Sequence, residues 1–423
     1  MNLISLRKFP YRYRAALTIA NDLDNLRIDD FLAIRQYLNS TQSTPMGEGL
    51  GLEIGETFWC YSLLPYEVTY FNGLSAGKSP HAPILKELIE AGYIDCFHSY
   101  GNFSRWENPP DPAYFERKLA ETALDRLAKD GIKFDTYINH GDNYNRQNLL
   151  CQLIEAYGDD PESEAYHSDL TIENLGIYFY WGCDLTAVVG QDRSLNLGDM
   201  DYFKFKTEHL VKSLIKYLIG RKHKIRKVFG NELMRPRRLR DRQLLMEFTR
   251  YCYSYGNINF PPNRDILKKQ LSTEVLDKLE RNRGTMIIYT HFGQPLERED
   301  GQIFDTELCK RFRELKSRQE SERIWITTTS RMLNYHYTNK YLVWDSEKVS
   351  EGAYRINIKG TNGPVDVPPN YEGITFYAGE PEKIEIYIMG ESAGKLTINP
   401  PDDTGKRSVT IPVKPLEFPH GLT

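Results

Sequence analysis

The sequence predicts an α/β fold: a (β/α) barrel, irregular or seven-stranded, over residues 1–338, then a small antiparallel β-sandwich over 339–423. Two observations predict the barrel. Helix, short turn and apolar strand recur in that order several times before residue 338, and several apolar runs end on an ionisable residue. A third predicts the sandwich: after about residue 340, helical periodicity gives way to period-two alternation between Gly, Pro and Asp turns.

Taken in order, "AALTIAND" reads as a strand and "DDFLAIRQYLN" as a helix, with "GLGLEIGETFWCYS" extended again. "PILKELIEAG" is a helix feeding "YIDCFHSYG", and "AYFERKLAETALDRLAKDG" is a longer one feeding "FDTYINHGD". "LGIYFYWGCD" and "LTAVVG" are strand-like, whereas "EHLVKSLIKYLIG" and "DRQLLMEFTRYCYSYG" carry helical spacing. "LSTEVLDKLERNRG" leads into "TMIIYTHFG", and "DTELCKRFRELKSRQESE" leads into "RIWITTTS". Beyond them "YLVWDSEKV", "AYRINIKG", "GITFYAG", "KIEIYIMG", "GKLTINP" and "SVTIPVK" are short strands.

With 54 Lys and Arg against 58 Asp and Glu, the formal charge of −4 argues against nucleic acid as main ligand. The basic run Arg221 to Arg242 reads as a solvated, helix-rich surface, with an anion dock as its alternative and "GNELMRP" as a candidate lid. Six scattered Cys fit reduced thiols better than a disulfide framework or a zinc knuckle. No export signal and no membrane-spanning apolar stretch are visible, so the chain as written reads as cytoplasmic, and a homo-oligomer is compatible with it. Aromatics at 12 % suit either a sugar cleft or half-buried surface.

The strand ends carry the chemistry. One strand finishes at Asp22 and Asp24, another at His98, another at His140 and Asp142, and a late one at His291. In a parallel barrel those ends share one rim, so residues far apart in sequence converge on one cleft. One strand-end His alone is more often structural; three of the nine, with a doubled Asp, are harder to dismiss. A divalent ion accepts His nitrogen and Asp oxygen, brings a bound water near neutral pKa and polarises a carbonyl. A second carboxylate then serves as base and a separate His as acid.

These residues carry a resemblance. "LTIANDLD" resembles the Thr-Phe-Asp-Asp strand motif of the polysaccharide deacetylase (NodB-homology) family, "HSYGN" its His-Ser/Thr-x-x-His metal motif, and "IIYTHFG" its late Leu-x-His motif. It covers roughly residues 14–335. It implies a metal-dependent hydrolase, most simply with zinc, removing acyl groups from carbohydrate, with Asp22 as base and His291 as acid. Asp24 and His98 would hold the ion, with His140 or Asn102 completing the set. Trp59, Glu56, Tyr100, Arg105 and Asp142 would contact substrate. The departures are plain: Asp22 and Asp24 are displaced from the motif's paired Asp, Asn102 replaces the second His, and "INHGDNYNR" occupies the place of the Arg-Pro-Pro-Tyr segment. Two alternatives stand beside this reading: a sugar-binding pseudoenzyme with a degenerate metal site, and a hydrolase of a non-sugar amide. Glu53 near a strand end, Asp184 as a turn cap or a support for a His, and Arg331 at the rim or behind a Ser330 cap are weaker candidates.

Overall fold

The computed structural model describes residues 4–103, 115–141, 145–151, 154–193, 231–253, 262–294 and 302–419. The strands of the first part include β1 (Ala15–Asn21), β2 (Glu56–Phe58), β3 (Ile94–Phe97), β4 (Thr136–Ile138), β5 (Phe179–Trp181), β6 (Met234–Arg238), β7 (Leu244–Phe248), β8 (Arg250–Tyr251), β9 (Thr285–Thr290) and β10 (Ile324–Ile326). Eight helices are described: α1 (Ile28–Asn39), α2 (Ala82–Glu90), α3 (Arg117–Lys129), α4 (Ser168–Leu175), α5 (Arg264–Gln270), α6 (Thr273–Asn282), α7 (Thr306–Glu320) and α8 (Thr329–Tyr341). The molecule is thus a mixed α/β protein with parallel sheets.

One sheet has the order β6-β7-β5-β4-β3-β2, and the other runs through β8, β9, β1 and β10. All these pairings are parallel except β6 with β7. Only Thr249 separates β7 from β8, so a single stretch of chain passes from one sheet to the other.

Side-chain alternation shows how the sheets sit. Ala16 and Ala20, Cys96, Ile138, Phe179 and Trp181, Phe248, Ile287 and Tyr289, and Trp325 all join one buried cluster. Their neighbours Leu17 and Ile19, Phe97, Tyr137, Tyr180, Leu245, Ile288, and Ile324 and Ile326 pack in a second cluster with the helices. Both sheets therefore face one interior, although β10 and β2 share no ladder among the described residues. Because the strands run parallel, their C-terminal ends come out on the same side.

Three sequence expectations need correction, and a fourth falls outside the described residues. The described part of "DRQLLMEFTRYCYSYG", residues 241–253, is not a helix: β7 pairs with β5 and β6, and β8 with β9, burying Leu245, Met246 and Phe248 where helical spacing would expose part of the run. The described part of the basic run, 231–242, is likewise a strand and turn, with Arg235 on Glu247 and Arg240 on Asp159. Helix α8 starts one residue before Ser330, whose hydroxyl donates to Asp135, and Arg331 pairs with Glu53. Residues 208–220, expected helical, lie outside the described residues.

After α8 ends at Tyr341, strands follow at Leu342–Ser350, Ala353–Thr361, Thr375–Tyr377, Ile384–Ile388, Thr397–Asn399 and Ser408–Thr410. With Ser5–Leu6 and Glu391–Ser392 they form two four-stranded sheets. The arrangement is not purely antiparallel, because Ala353–Thr361 and Ile384–Ile388 run parallel. Nor is it purely C-terminal, since Ser5–Leu6 adds an edge strand beside Thr375–Tyr377. The Trp344 and Phe376 rings meet at 4.8 Å between these sheets.

Candidate functional site

Strand β1 hands its ladder on to Asp22, whose N–H donates to the Thr290 carbonyl at 2.9 Å. The next turn is pinned from three sides. Thr57 accepts the Leu23 N–H, and Gly293 packs so closely that a Cβ there would lie 2.3 Å from the Asp24 carbonyl oxygen. Asn25 takes a left-handed φ of 60° with its N–H on Glu67, 3.1 Å away. Strand β3 is extended in the same way, with the His98 N–H on the Phe58 carbonyl. The chain then bends sharply: Ser99 sits at φ 47°, and Gly101 at φ 128° with no room for a side chain, since a Cβ would meet the Tyr61 carbonyl oxygen at 1.8 Å.

Six ionisable side chains meet around these turns. Asp22 is buried and receives both guanidinium arms of the fully buried Arg250, each at 3.0 Å. Arg250 lies over the Trp181 ring at 4.1 Å and the Tyr289 ring at 4.8 Å, which replaces part of its lost hydration. Asp24, 16 % exposed, has Oδ2 3.1 Å from His140 Nε2 and 4.0 Å from His291 Nε2. His98 Nε2 is 3.7 Å from Asp22 Oδ2, and His291 Nε2 is 4.0 Å from the same oxygen. The Trp59, His98 and His140 rings stack mutually with centroids 5.2 to 5.4 Å apart.

Burial raises the Asp24 carboxyl, but His140, His291 and His98 together hold it well below the usual carboxylate range. Burial lowers the His98 imidazole to about 4, against the pull of Asp22 and Asp24, so its ring is neutral at physiological pH. His291 donates Nδ1–H to the Pro262 carbonyl at 2.8 Å, which leaves Nε2 toward the carboxylates. His140 Nδ1 meets Asn145 at 3.0 Å.

Other expected residues are placed elsewhere. Asn102 turns its amide to Glu67, at 3.3 and 3.4 Å, rather than to Asp24. Glu56 is buried beneath the rim, accepting from Asn21 at 2.7 and 2.8 Å and facing Arg35 at 3.6 Å; burial raises its carboxyl to about 7. Trp59 has no exposed face, and Tyr100 is a core ring whose hydroxyl bonds Thr171. Asp184 lies 3.5 Å from Arg235, and its carbonyl accepts from Trp181 Nε1 and Arg250 N. Arg105 and Asp142 lie outside the described residues.

Two residues were missed. Arg250 was hidden in a run read as helix; its signal is a lone cation in a stretch buried without a break from Leu245 to Cys252. Glu67 accepts from Asn25 N, Ser62 Oγ and Asn102 Nδ2, so it ties the Asp24 turn to the His98 segment. Its signal is the isolated carboxylate in "LLPYEVTYF". Burial raises it to about 7.

His nitrogen and Asp oxygen are the donor types that a divalent ion accepts. Asp24 Oδ1 and both ring nitrogens of His98 are buried without a hydrogen-bond partner among the described residues, an unusual state for polar atoms. The 3.1 Å between His140 and Asp24 resembles the N···O edge expected from ligand bonds of about 2 Å. Among the described residues, no group of three or more His, Cys, Asp or Glu already stands in a chelating arrangement. The donors are assembled but not closed around a point.

No family model and no curated protein matches the chain. Among solved structures it matches an endo-β1,6-glucanase at 11 % identity, covering 97 % of this chain and 93 % of that one, with a TM-score of 0.29. At that score the likeness carries no inference about fold or activity. Among the described residues, no helix is long and apolar enough to cross a membrane.

Proposed function

We propose that the chain is a metal-dependent hydrolase that removes acyl groups from a carbohydrate, with its parallel strands arranged as an open barrel around the site. The reading rests on one observation: two carboxylates two residues apart are divided between different partners, Asp22 on Arg250 and Asp24 among three histidines. Substrate class comes from the resemblance of "LTIANDLD", "HSYGN" and "IIYTHFG" to the deacetylase motifs.

Asp24, His98 and His140 would hold the ion. When bound, it supplies a Lewis acid for the acyl carbonyl and lowers the pKa of a water. Asp22 accepts the proton of the attacking water through a lone pair that Arg250 leaves open. Arg250 aims the carboxylate and balances its charge. His291, protonated at Nε2, donates that proton to the leaving amine or alcohol, while its Nδ1–H stays on Pro262. Trp59 walls off one side of the two imidazoles, whose planes lie 14° apart.

The open donor set also favours a second reading, a sugar-binding protein without catalysis. Calorimetric zinc titration of chelator-stripped protein decides between them. The hydrolase reading expects one tight site, lost in His98→Ala and Asp24→Asn and kept in Asn102→Ala, with acetate released from an acetylated oligosaccharide. A wild type that binds oligosaccharide but neither zinc nor another divalent ion supports the second reading. Acyl release only from non-sugar amides would move the substrate class.

A further inference from the structure

Cys183 follows Gly182 at the end of β5, and Cys151 follows Leu150 on the segment packed against that glycine, which sets the two thiols beside each other. Their approach is fixed by backbone stitching rather than by chance. The Asn139 side chain exchanges two hydrogen bonds with the Leu149 backbone, each 2.8 Å, while its own N–H reaches the Trp181 carbonyl. Gly182 packs against the same segment, where a Cβ would lie 3.1 Å from the Leu150 carbonyl oxygen. Cys183 is held at φ 65°, a conformation a non-glycine residue adopts only when its surroundings impose it. Cys183 is buried, Cys151 is partly exposed, and Cys60, Cys96, Cys252 and Cys309 are buried.

We propose that Cys151 and Cys183 form a site of reversible oxidative modification, closing to a disulfide on exposure to a peroxide. The partly exposed Cys151 is the entry point. Its thiolate attacks one peroxide oxygen and the O–O bond breaks. Hydroxide leaves and is protonated to water, and Cys151 becomes a sulfenic acid. The Cys183 sulfur then attacks the Cys151 sulfur; the S–S bond forms, the S–O bond breaks, and a second water leaves with the Cys183 proton. Two thiols and one peroxide give one disulfide and two waters, and a dithiol reductant reverses the change. Burial raises the Cys183 thiol, so the buried sulfur is not the one that initiates. The turn that would be tied down matters to the site. Trp181 lies under the Arg250 guanidinium, and the Asp184 carbonyl accepts the Arg250 N–H.

The test is peptide mapping of the full chain after hydrogen peroxide treatment, with free thiols blocked before and after unfolding. The expected result is one Cys151–Cys183 cross-linked peptide pair, the mass of two hydrogens lost, reversal by dithiothreitol, and the other four cysteines still free. In Cys183→Ser the sulfenic acid cannot close, so dimedone should label Cys151. If that variant does not fold, Cys183→Ala serves the same purpose, and Cys151→Ser should abolish both products. The proposal is overturned if all six thiols remain alkylatable after peroxide. It is equally overturned if the cross-link joins other cysteines, or if a folded Cys183 variant yields no Cys151 adduct.

Discussion

The same parallel strands carry an acidic cluster at each end, and the two differ in what they leave unpaired. At the N-terminal end, Asp95 accepts the Ser330 N–H at 2.7 Å. Asp135 accepts from Ser330 Oγ, Thr136 Oγ1 and Asn334 Nδ2. These carboxylates sit at the start of α8, where the helix dipole favours negative charge. At the C-terminal end, Asp22 is satisfied by Arg250, yet Asp24 Oδ1 and the His98 nitrogens have no partner among the described residues. A finished set of hydrogen bonds marks a joint that holds helix to sheet. Buried polar atoms without partners cost stability, and on the proposed reading they are kept for a ligand.

The largest effect expected is at Asp22. Arg250→Ala leaves a buried carboxylate without its counter-charge and should cost about 3–5 kcal/mol in urea denaturation, with loss of any hydrolysis. A cost below about 1 kcal/mol would mean that Asp22 does not depend on this pair.

Glu67 tests whether the rim is built as a unit. Glu67→Ala frees the Asn25 N–H and releases Asn102 from the Asp24 turn. Zinc affinity should fall roughly 10–100-fold, as for supports of metal ligands generally, with a stability loss of about 1–2 kcal/mol. Unchanged affinity at the same stability loss would reduce Glu67 to a structural role.

The unequal legibility of the two clusters has a physical cause. Strand-end Asp22, Asp24, His98, His140 and His291 stand out because apolar runs end on them, and the parallel arrangement does the gathering. Arg250 does not stand out, since "LLMEFTRYC" satisfies helical and strand spacing alike and only pairing with β5 and β9 decides it. Trp59 is misleading for a related reason. A Trp beside a carboxylate reads as a platform, but its depth below the rim depends on where His98 and His140 fall. The role of Asn102 was also out of reach, because it depends on Glu67, a residue on another segment.

Ser330→Ala probes the finished end. It removes one of three donors to Asp135 and should cost about 1 kcal/mol without altering zinc binding. A shift in zinc affinity would show that the two ends are coupled.

The sharpest contrast is in pH dependence. In metal-free protein His98 is lowered from 6.5 to about 4 by burial, so between those values the unfolded state binds more protons. Its contribution to stability is present above pH 6.5 and is lost as pH falls toward 4. Asp95 is raised by burial from 3.8 to about 7, so there the folded state binds more protons. Its contribution is full below pH 3.8 and is lost as pH rises through 7. His98→Leu should change stability at neutral pH by less than about 1.5 kcal/mol, because an apolar side chain of similar volume replaces a ring whose nitrogens bond nothing described. It should also flatten the fall on the acid side, whereas Asp95→Asn should flatten the fall toward neutrality. Urea midpoints for both variants across pH 4 to 7 give the comparison. An acid-side slope that survives His98→Leu would assign it to another group, and the orphaned nitrogens of His98 would then no longer distinguish one end of the strands from the other.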